Sequence, residues 1–394
     1  MRIAMFSDNF YPELSGISDS ILVLGRELAR RGHAIHFYVP RYSKRDYAKV
    51  GLVGKNPPLP GDVKFTRLAS LHYPTGTGQG RLVFPTALRW LAMKKYKYDV
   101  IHTQLFFGTG LEGLFAAKFL GVPLVGTNHT AITEFLKYSP VHPAWLERAT
   151  VSYVNWYYGK CRMTTAPSRS VTDEMEKFGF KGKSLVVSNP IDMETFRPLA
   201  GGEENLKAKF GFKHPTIIHA GRISPERKID VLIRALPLIR EKIPDAMLAF
   251  AGHGVQEGEL RQLAAGLGVG EHIKFLGTLS KQDLNEAYNA ADLFAITSTS
   301  DTQSLVMMQA MASGLPVVAV AARALPEYVN SENGALAIPG DSKDVAEKTI
   351  GILRAKDLRS RLSSGAVKSV AKFSPRAIAE VWEKIYAEAI TPKS

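Results

Sequence analysis

The side chains best suited to chemistry sit where apolar runs give way to polar turns. Residues 297–319 read TSTSDTQSLVMMQAMASGLPVVA. An apolar strand over Leu293–Ser298 enters this stretch, and a helix is predicted from Gln303–Ser304 to Ser313–Gly314. Ser298, Thr299, Ser300 and Asp301 all suit an N-cap, and Gly314 suits the position just past the helix end. Such a turn aims free backbone N–H groups and the positive end of a helix dipole at whatever lies above the strand. That is an anion site. Asp301 precedes the helix and Gln309 lies two turns on, so a ligand with a phosphate at the helix start could meet both. Upstream, GRISPERKID (221–230) follows another apolar run. Gly221 lets the backbone turn closely, and Arg222 and Arg227 have the fork geometry to clamp a diphosphate, with Lys228 beside them as a point charge. Cations there would stabilise the charge that builds on a leaving diphosphate. That chemistry needs no metal, and the chain has no D-x-D motif. AGHG (251–254) adds Gly252 and Gly254 in a tight turn, and PELSGISDSI (12–21) adds Gly16. TNHTAITEF (127–135) ends a strand at His129, with Thr130 and Glu134 following.

These residues need a frame, and the apolar pattern supplies one. Arg2–Asp8 reads as a strand, Gly16–Arg31 as a helix with Ile17, Ile21, Leu24 and Leu28 on one face, and His33–Pro40 as a second strand. That unit opens a doubly wound parallel sheet. Further strands are predicted at Val63–Leu68, Asp99–Thr103, Pro123–Asn128, Met163–Ala166 and Ser184–Ser188. Helices are predicted around 85–97, 109–120, 143–160 and 168–178, and 41–62 reads as a loop. The pattern restarts after Asn189-Pro190 and a Pro198–Gly202 linker. Strands follow at Thr216–Ala220, Met247–Ala251, Ile273–Leu276, Leu293–Ser298, Pro316–Val320 and Ala335–Ile338. Helices follow near 228–242, 257–267, 280–290, 304–313, 342–355, 357–371 and 375–389. The fold class is α/β, with one Rossmann-like domain over 1–188, a second over 189–374, a cleft between them and a final helix over 375–394. Parallel sheets bind ligands beyond the carboxyl ends of their strands. Asp8, Gly16, His129, Arg222, Gly252–Gly254, Asp301 and Glu327 all fall at such ends.

The motifs together resemble the large family-four retaining glycosyltransferases, which include bacterial-type sucrose-phosphate and glycogen synthases. The family's E-x(7)-E followed by A-M-A-x-G-x-P-V-V is matched by Asp301, Gln309 and an intact AMASGLPVV tail. Its G-R-x-x-x-E-K segment is matched by 221–230, with Arg227 at the lysine position and Lys228 next to it. The D-T-Q triplet at 301–303, and the His129–Tyr138 run with Thr130, Glu134 and its following aromatics, resemble the bacterial branch that makes glycolipids, such as monoglucosyl-diacylglycerol synthases, whose segment reads H-T-x-x-E. The resemblance implies a GT-B fold with the last helix crossing back onto the first domain. It implies His129, Arg222, Arg227 and Asp301 as catalytic residues, with His129 meeting the transferred sugar near its 6-hydroxyl. It implies Gly16, Gly221, Lys228, Gly252, Gly254, Gln303, Ser304, Leu305 and Gln309 as donor-binding residues, with Gln309 facing the ribose. No cofactor and no metal is implied beyond the nucleotide sugar itself, expected to be a UDP-hexose.

The charge distribution bears on the acceptor. Residues 1–188 hold 25 Lys/Arg against 13 Asp/Glu, a net +12, whereas 189–394 hold 25 against 24, a net +1. An anionic partner of the first half would use that excess. Residues 81–98 set Arg81, Arg89, Lys94, Lys95 and Lys97 among Phe84, Trp90, Tyr96 and Tyr98, and 145–160 add Trp145, Trp156, Tyr157 and Tyr158. Basic residues with interfacial aromatics suit a lipid headgroup layer, with Arg89, Trp90, Lys94, Lys95 and Lys97 as the membrane set. The same composition suits a nucleic-acid groove or, for 145–160, a buried helix with a basic outer face. No nucleic-acid motif occurs, so nucleic acid is not an expected partner. No run of 18 apolar residues and no signal-peptide pattern is present, and Cys161 is the single cysteine. The expected protein is a cytoplasmic enzyme, peripheral on the inner face of the cell membrane, moving a hexose to a lipid such as diacylglycerol. The alternatives are a soluble transferase acting on a polysaccharide or oligosaccharide, and a non-catalytic nucleotide-sugar binder suggested by Asp301 and Gln309.

Overall fold

The computed structural model describes residues 1–13, 15–48, 54, 56–72, 80–131, 144–212 and 215–392. Glu134 and the aromatics after His129 lie outside these. Contacts divide the chain into unit one, Met1–Pro190 with Pro375–Ser394, and unit two, Ile191–Ser374.

Unit one is built on strands β1 (Arg2–Phe6), β2 (Ala34–Pro40) and β3 (Val63–Leu68), a short pair β4 (Leu71–His72) and β5 (Arg81–Leu82), then β6 (Val100–Thr103), β7 (Leu124–Thr127), β8 (Met163–Ala166) and β9 (Ser184–Val186). Seven of them form one parallel sheet in the order β3-β2-β1-β6-β7-β8-β9. Its inner strands β1, β6, β7 and β8 are buried apart from Arg2, as strands covered on both faces are. The helices of this unit are α1 (Gly16–Arg30), α2 (Lys44–Ala48), α3 (Arg89–Met93), α4 (Gly108–Leu120), α5 (Ala144–Gly159) and α6 (Arg169–Lys177).

Two expectations for unit one are corrected. The loop at 41–62 contains α2, whose start is held by Ser43: Asp46 accepts from the Ser43 backbone N–H and hydroxyl at 2.8 and 2.7 Å. The helix expected over 85–97 is only α3 followed by a single 3₁₀ turn at Lys94–Tyr96. Ala87 (φ 56°) and Lys97 (φ 48°) adopt left-handed backbone at its two ends, which no α-helix can run through.

Unit two repeats the architecture. Its strands are β10 (Thr216–Ala220), β11 (Met247–Ala251), β12 (Ile273–Gly277), β13 (Leu293–Ile296), β14 (Val317–Val320) and β15 (Gly334–Ala337), parallel in the order β12-β11-β10-β13-β14-β15. Its helices are α7 (Glu203–Phe210), α8 (Ile229–Lys242), α9 (Glu257–Gly266), α10 (Lys281–Ala290), α11 (Leu305–Ala312), α12 (Leu325–Tyr328), α13 (Ser342–Arg354) and α14 (Lys356–Val370). The sequence reading missed α7, whose Lys207 is drawn inward to Glu203 (2.8 Å) and Asp292 (3.7 Å). The helix expected to begin at Gln303–Ser304 begins at Leu305. Ser304 is its N-cap in left-handed backbone (φ 62°), and none of Ser298 to Asp301 serves as the cap.

The last helix, α15 (Pro375–Ile390), returns to unit one. It packs on α1, β6 and β7 and buries Ile378, Trp382, Ile385 and Tyr386. Each large apolar side chain so covered is worth about 1.5–3 kcal/mol. Glu383 takes a bidentate grip from Arg31 (2.9 and 2.7 Å) and a third bond from His33 (2.7 Å).

Candidate functional site

In unit two, adjacent strands bring the cationic turn and the acidic turn together. β10 and β13 are neighbours, so the loops leaving their carboxyl ends lie side by side. Thr297 fastens them, donating its hydroxyl to the Lys228 carbonyl at 2.8 Å. Arg227 then donates to the Asp301 carboxylate at 2.5 Å, and both side chains are largely buried. Burial alone would raise the Asp301 pKa. The Arg227 charge and hydrogen bond, with a bond from Ser298, instead hold it below the usual carboxylate value. Arg222 is more open and lies 3.6 Å from Glu226, while Lys228 is exposed at the left-handed start of α8.

The two glycines of AGHG are fixed by chain packing. A side chain at Gly252 would strike the Gly221 carbonyl, and one at Gly254 the Ile223 carbonyl, at about 2 Å in each case. That approach lets Gly221 donate to Ala251 (2.9 Å) and Ile223 donate to His253 (3.2 Å), which fixes the turn carrying Arg222. Gly221 itself faces open space at φ 132°.

At the start of α11, the Ser304 hydroxyl is buried and has no hydrogen-bond partner among the described residues. Gln303 is buried with its amide nitrogen 3.0 Å from Met308 Sδ, and Leu305 is half-buried. Gln309 is only 6% exposed, so it does not face solvent. His219, on β10, was not singled out from sequence. It donates Nδ1–H to the Ala295 carbonyl at 2.9 Å, and burial lowers its pKa to about 4. A lone histidine inside an apolar strand carries no signal that would have found it.

In unit one, Gly16 opens α1 behind its Ser15 cap. His129 is buried, and its Nε2 lies 2.8 Å from Gln104 Oε1. A carbonyl oxygen only accepts, so His129 carries its proton on Nε2. Burial lowers its pKa to about 4, which keeps the ring neutral at pH 7. The Gln104 amide nitrogen lies 3.2 Å from both ring nitrogens of His102. His102 is held in turn by Tyr386 of α15 (2.8 Å) and Thr127 (2.7 Å). Of the membrane set, Lys94, Lys95 and Lys97 are exposed, whereas Trp90 is half-buried and stacked on Phe119 at 5.3 Å, and Arg89 lies 3.9 Å from buried Glu112. The sequence reading missed the exposed aliphatic side chains that precede those lysines: Leu88 is 64% exposed and Leu91 58%. Phe84 (61%) is also open.

Unit two matches the family described as "Glycosyl transferases group 1" over residues 202–369, and unit one matches "Glycosyltransferase Family 4" over residues 14–195. Together the matches span most of the chain. The chain belongs to glycosyltransferase family four. It is therefore an enzyme that transfers a sugar from a nucleotide-sugar donor. The transferase is 27% identical over 329 residues to an alpha-monoglucosyldiacylglycerol synthase of Streptococcus pneumoniae, covering 81% of this chain and 71% of that one. It is 24% identical over 401 residues to the synthase of that name from Acholeplasma laidlawii, covering 99% and 98%. Among solved structures it is similar to Anabaena HepE in complex with UDP (TM-score 0.76, 20% identity, covering 98% and 100%), a likeness that shows the GT-B fold.

Proposed function

We propose that the enzyme moves a hexose from a UDP-sugar to the hydroxyl of a diacylglycerol-type lipid, with retention at the anomeric carbon and without a metal or organic cofactor. The observation that carries the acceptor is the stretch 82–97 of unit one, where Leu82, Phe84, Leu88 and Leu91 are exposed and the chain runs on to exposed Lys94, Lys95 and Lys97. Open apolar side chains bordered by lysines suit acyl chains under an anionic headgroup layer, and a water-soluble acceptor would use neither. The likeness to two alpha-monoglucosyldiacylglycerol synthases supports the same acceptor. HepE, a structural relative, binds UDP, which supports the base.

The residues divide the labour by charge. Arg222, Arg227 and Lys228 meet the diphosphate, with the first N–H groups of α11 and the Ser304 hydroxyl. Gly16 and Gly221 give close backbone approach, and Gln303, Leu305 and Gln309 shape the nucleotide pocket. Asp301 and neutral His129 hydrogen-bond the sugar. The acceptor oxygen attacks the anomeric carbon from the face that UDP leaves, the carbon–diphosphate bond breaks, and the hydroxyl proton passes to the departing diphosphate oxygen. A glucose donor of α configuration then gives an α-glycolipid. The enzyme works as a peripheral protein at the cytoplasmic face. Among the described residues no helix is long and apolar enough to cross a membrane.

A screen of UDP-hexoses against bacterial lipid extract tests the reading. The expected product is an α-linked glycolipid, read by chromatography and by its anomeric proton. Transfer only to water-soluble oligosaccharide would overturn the lipid acceptor, and binding of UDP-sugar without turnover would overturn catalysis.

A further inference from the structure

Gln104 lies just past the carboxyl end of β6, and its backbone N–H donates to the Phe6 carbonyl at 2.9 Å, so the chain there stays beside β1. β6 also neighbours β7, and His129 follows the end of β7 by two residues. Both side chains are buried, Gln104 at 2% exposure and His129 at 6%. The Gln104 carboxamide joins two histidines. Its oxygen end lies 2.8 Å from His129 Nε2, and its nitrogen end lies 3.2 Å from both ring nitrogens of His102. His102 is fixed in turn by the Tyr386 hydroxyl at Nδ1 (2.8 Å) and by the Thr127 hydroxyl at Nε2 (2.7 Å). Thr127 is tied onward to the Thr165 hydroxyl at 2.8 Å, and the His102 ring lies against Trp382 of α15, with centroids 4.4 Å apart.

Every member of this chain is uncharged at pH 7. Burial, and then the neighbouring His129, lower the His102 pKa to about 3, and burial pushes the Tyr386 hydroxyl up. In a chain of neutral groups the order of donors and acceptors is the information it carries. A neutral imidazole has two tautomers, and a fixed acceptor at one nitrogen selects between them. With the nitrogen end of the Gln104 amide turned to His102, its oxygen end is turned to His129. The His129 proton then sits on Nε2, and Nδ1 keeps its lone pair.

We infer that Gln104 is a positioning residue for the transferred sugar: it holds His129 in the Nε2–H form, and Nδ1 of that form accepts the hydrogen bond of a sugar hydroxyl. Gln104 acts through His129 and does not touch the sugar itself. His102, Thr127 and Tyr386 keep the amide in place. This assignment rests on the reading above that His129 meets the sugar.

Two variants take the amide apart. Gln104→Leu keeps bulk and removes the acceptor, while Gln104→Glu keeps an acceptor and adds a charge. Nuclear magnetic resonance on the full chain with isotope-labelled histidine reports the tautomer, and the His129 signal is identified by its loss in His129→Ala. UDP release from UDP-glucose is followed across pH on phosphatidylglycerol vesicles containing dioleoylglycerol, with UDP affinity and melting temperature alongside. Wild-type His129 should be neutral with its proton on Nε2. Gln104→Leu should lose that single form and lower kcat/KM roughly tenfold, with UDP affinity unchanged. Gln104→Glu should restore the form, with a rate near wild type at alkaline pH. Its carboxylate raises the His129 pKa, and below that pKa both ring nitrogens are protonated and Nδ1 no longer accepts. The rate of this variant relative to wild type should therefore fall as pH drops below about 7. A wild-type His129 protonated on Nδ1 would overturn the assignment, and so would an unchanged tautomer and rate in Gln104→Leu. Loss of melting temperature and rate with the tautomer kept would also overturn it, by making Gln104 a packing residue and nothing more. Wild-type rates in His129→Ala would overturn the reading of His129 itself, and this assignment with it.

Discussion

Arg227 and Arg222 leave the same turn but are placed in different company, and their substitution should separate stability from turnover. Arg227 is largely buried against Asp301, so Asp301→Asn leaves a cation without its charged partner. Breaking such a pair typically costs about 3–5 kcal/mol. Arg222 is more open, so Arg222→Ala should leave the melting temperature unchanged. Its loss should lower kcat/KM for the donor by roughly ten- to a hundredfold, the worth of a charged hydrogen bond of about 1.5–3 kcal/mol. Thermal melts and initial rates on the two variants check this. Equal thermal losses would mean that Arg222 also serves the fold. Gln309 makes the second residue-scale prediction. It is buried, and Gln309→Glu introduces a charge there. The free variant should melt lower than wild type. If Gln309 meets the donor ribose, UDP should recover more of the melting temperature in the variant than in wild type, because the carboxylate accepts two hydrogen bonds from a diol. Scanning fluorimetry with and without UDP decides it, and the same small UDP shift in both proteins would remove Gln309 from the site.

Elements differ in how far their own sequence determines them. The sheet strands were readable because burial on both faces leaves an unbroken apolar run, as in Met247–Ala251 or Val317–Val320. The short α3 was not, because its ends depend on left-handed turns at Ala87 and Lys97, which are unusual for those residue types. The Arg227–Asp301 pair spans 74 residues and exists only because β10 lies beside β13. The His102–Tyr386 bond spans 284 residues, so no local pattern announces it. Residue types at strand ends were therefore legible, and their partners were not. One such partnership makes a pH prediction. Arg31, with His33 assisting, holds the Glu383 carboxyl down to about 2 from an ordinary value of 4.5. Its native pKa is below its unfolded one, so its stabilisation is complete above pH 4.5 and lost as pH falls toward 2. Glu383→Gln should melt below wild type at neutral pH, and the gap should close between pH 4.5 and 2. A gap constant with pH would show that the ion pair contributes nothing.

For the whole molecule, charge is concentrated on one unit. The +12 carried by residues 1–188 predicts docking to anionic bilayers. Each well-placed Lys is worth about 1 kcal/mol there, and the attraction fades within a Debye length. Vesicle sedimentation should show strong binding at low salt that weakens as salt rises. Changing Lys94, Lys95 and Lys97 together to Glu should abolish the salt-sensitive part. Leu88→Ser with Leu91→Ser should weaken binding at every salt concentration, because that contact is apolar. Equal binding to neutral vesicles by the charge-reversed protein would remove the lysines from the account.

The return of α15 to unit one also has a consequence for biosynthesis. Unit one needs Trp382 and Tyr386 to cover His102, and Glu383 to receive Arg31 across a separation of 352 residues. A ribosome makes all of unit two between the two pieces of unit one. At about 5–20 residues per second, the first piece waits roughly ten to forty seconds for its closing helix. Through that interval the seat of α15 on α1, β6 and β7 is bare. Unit two can finish first, and the nascent first unit is the part of the chain that most needs a chaperone's cover.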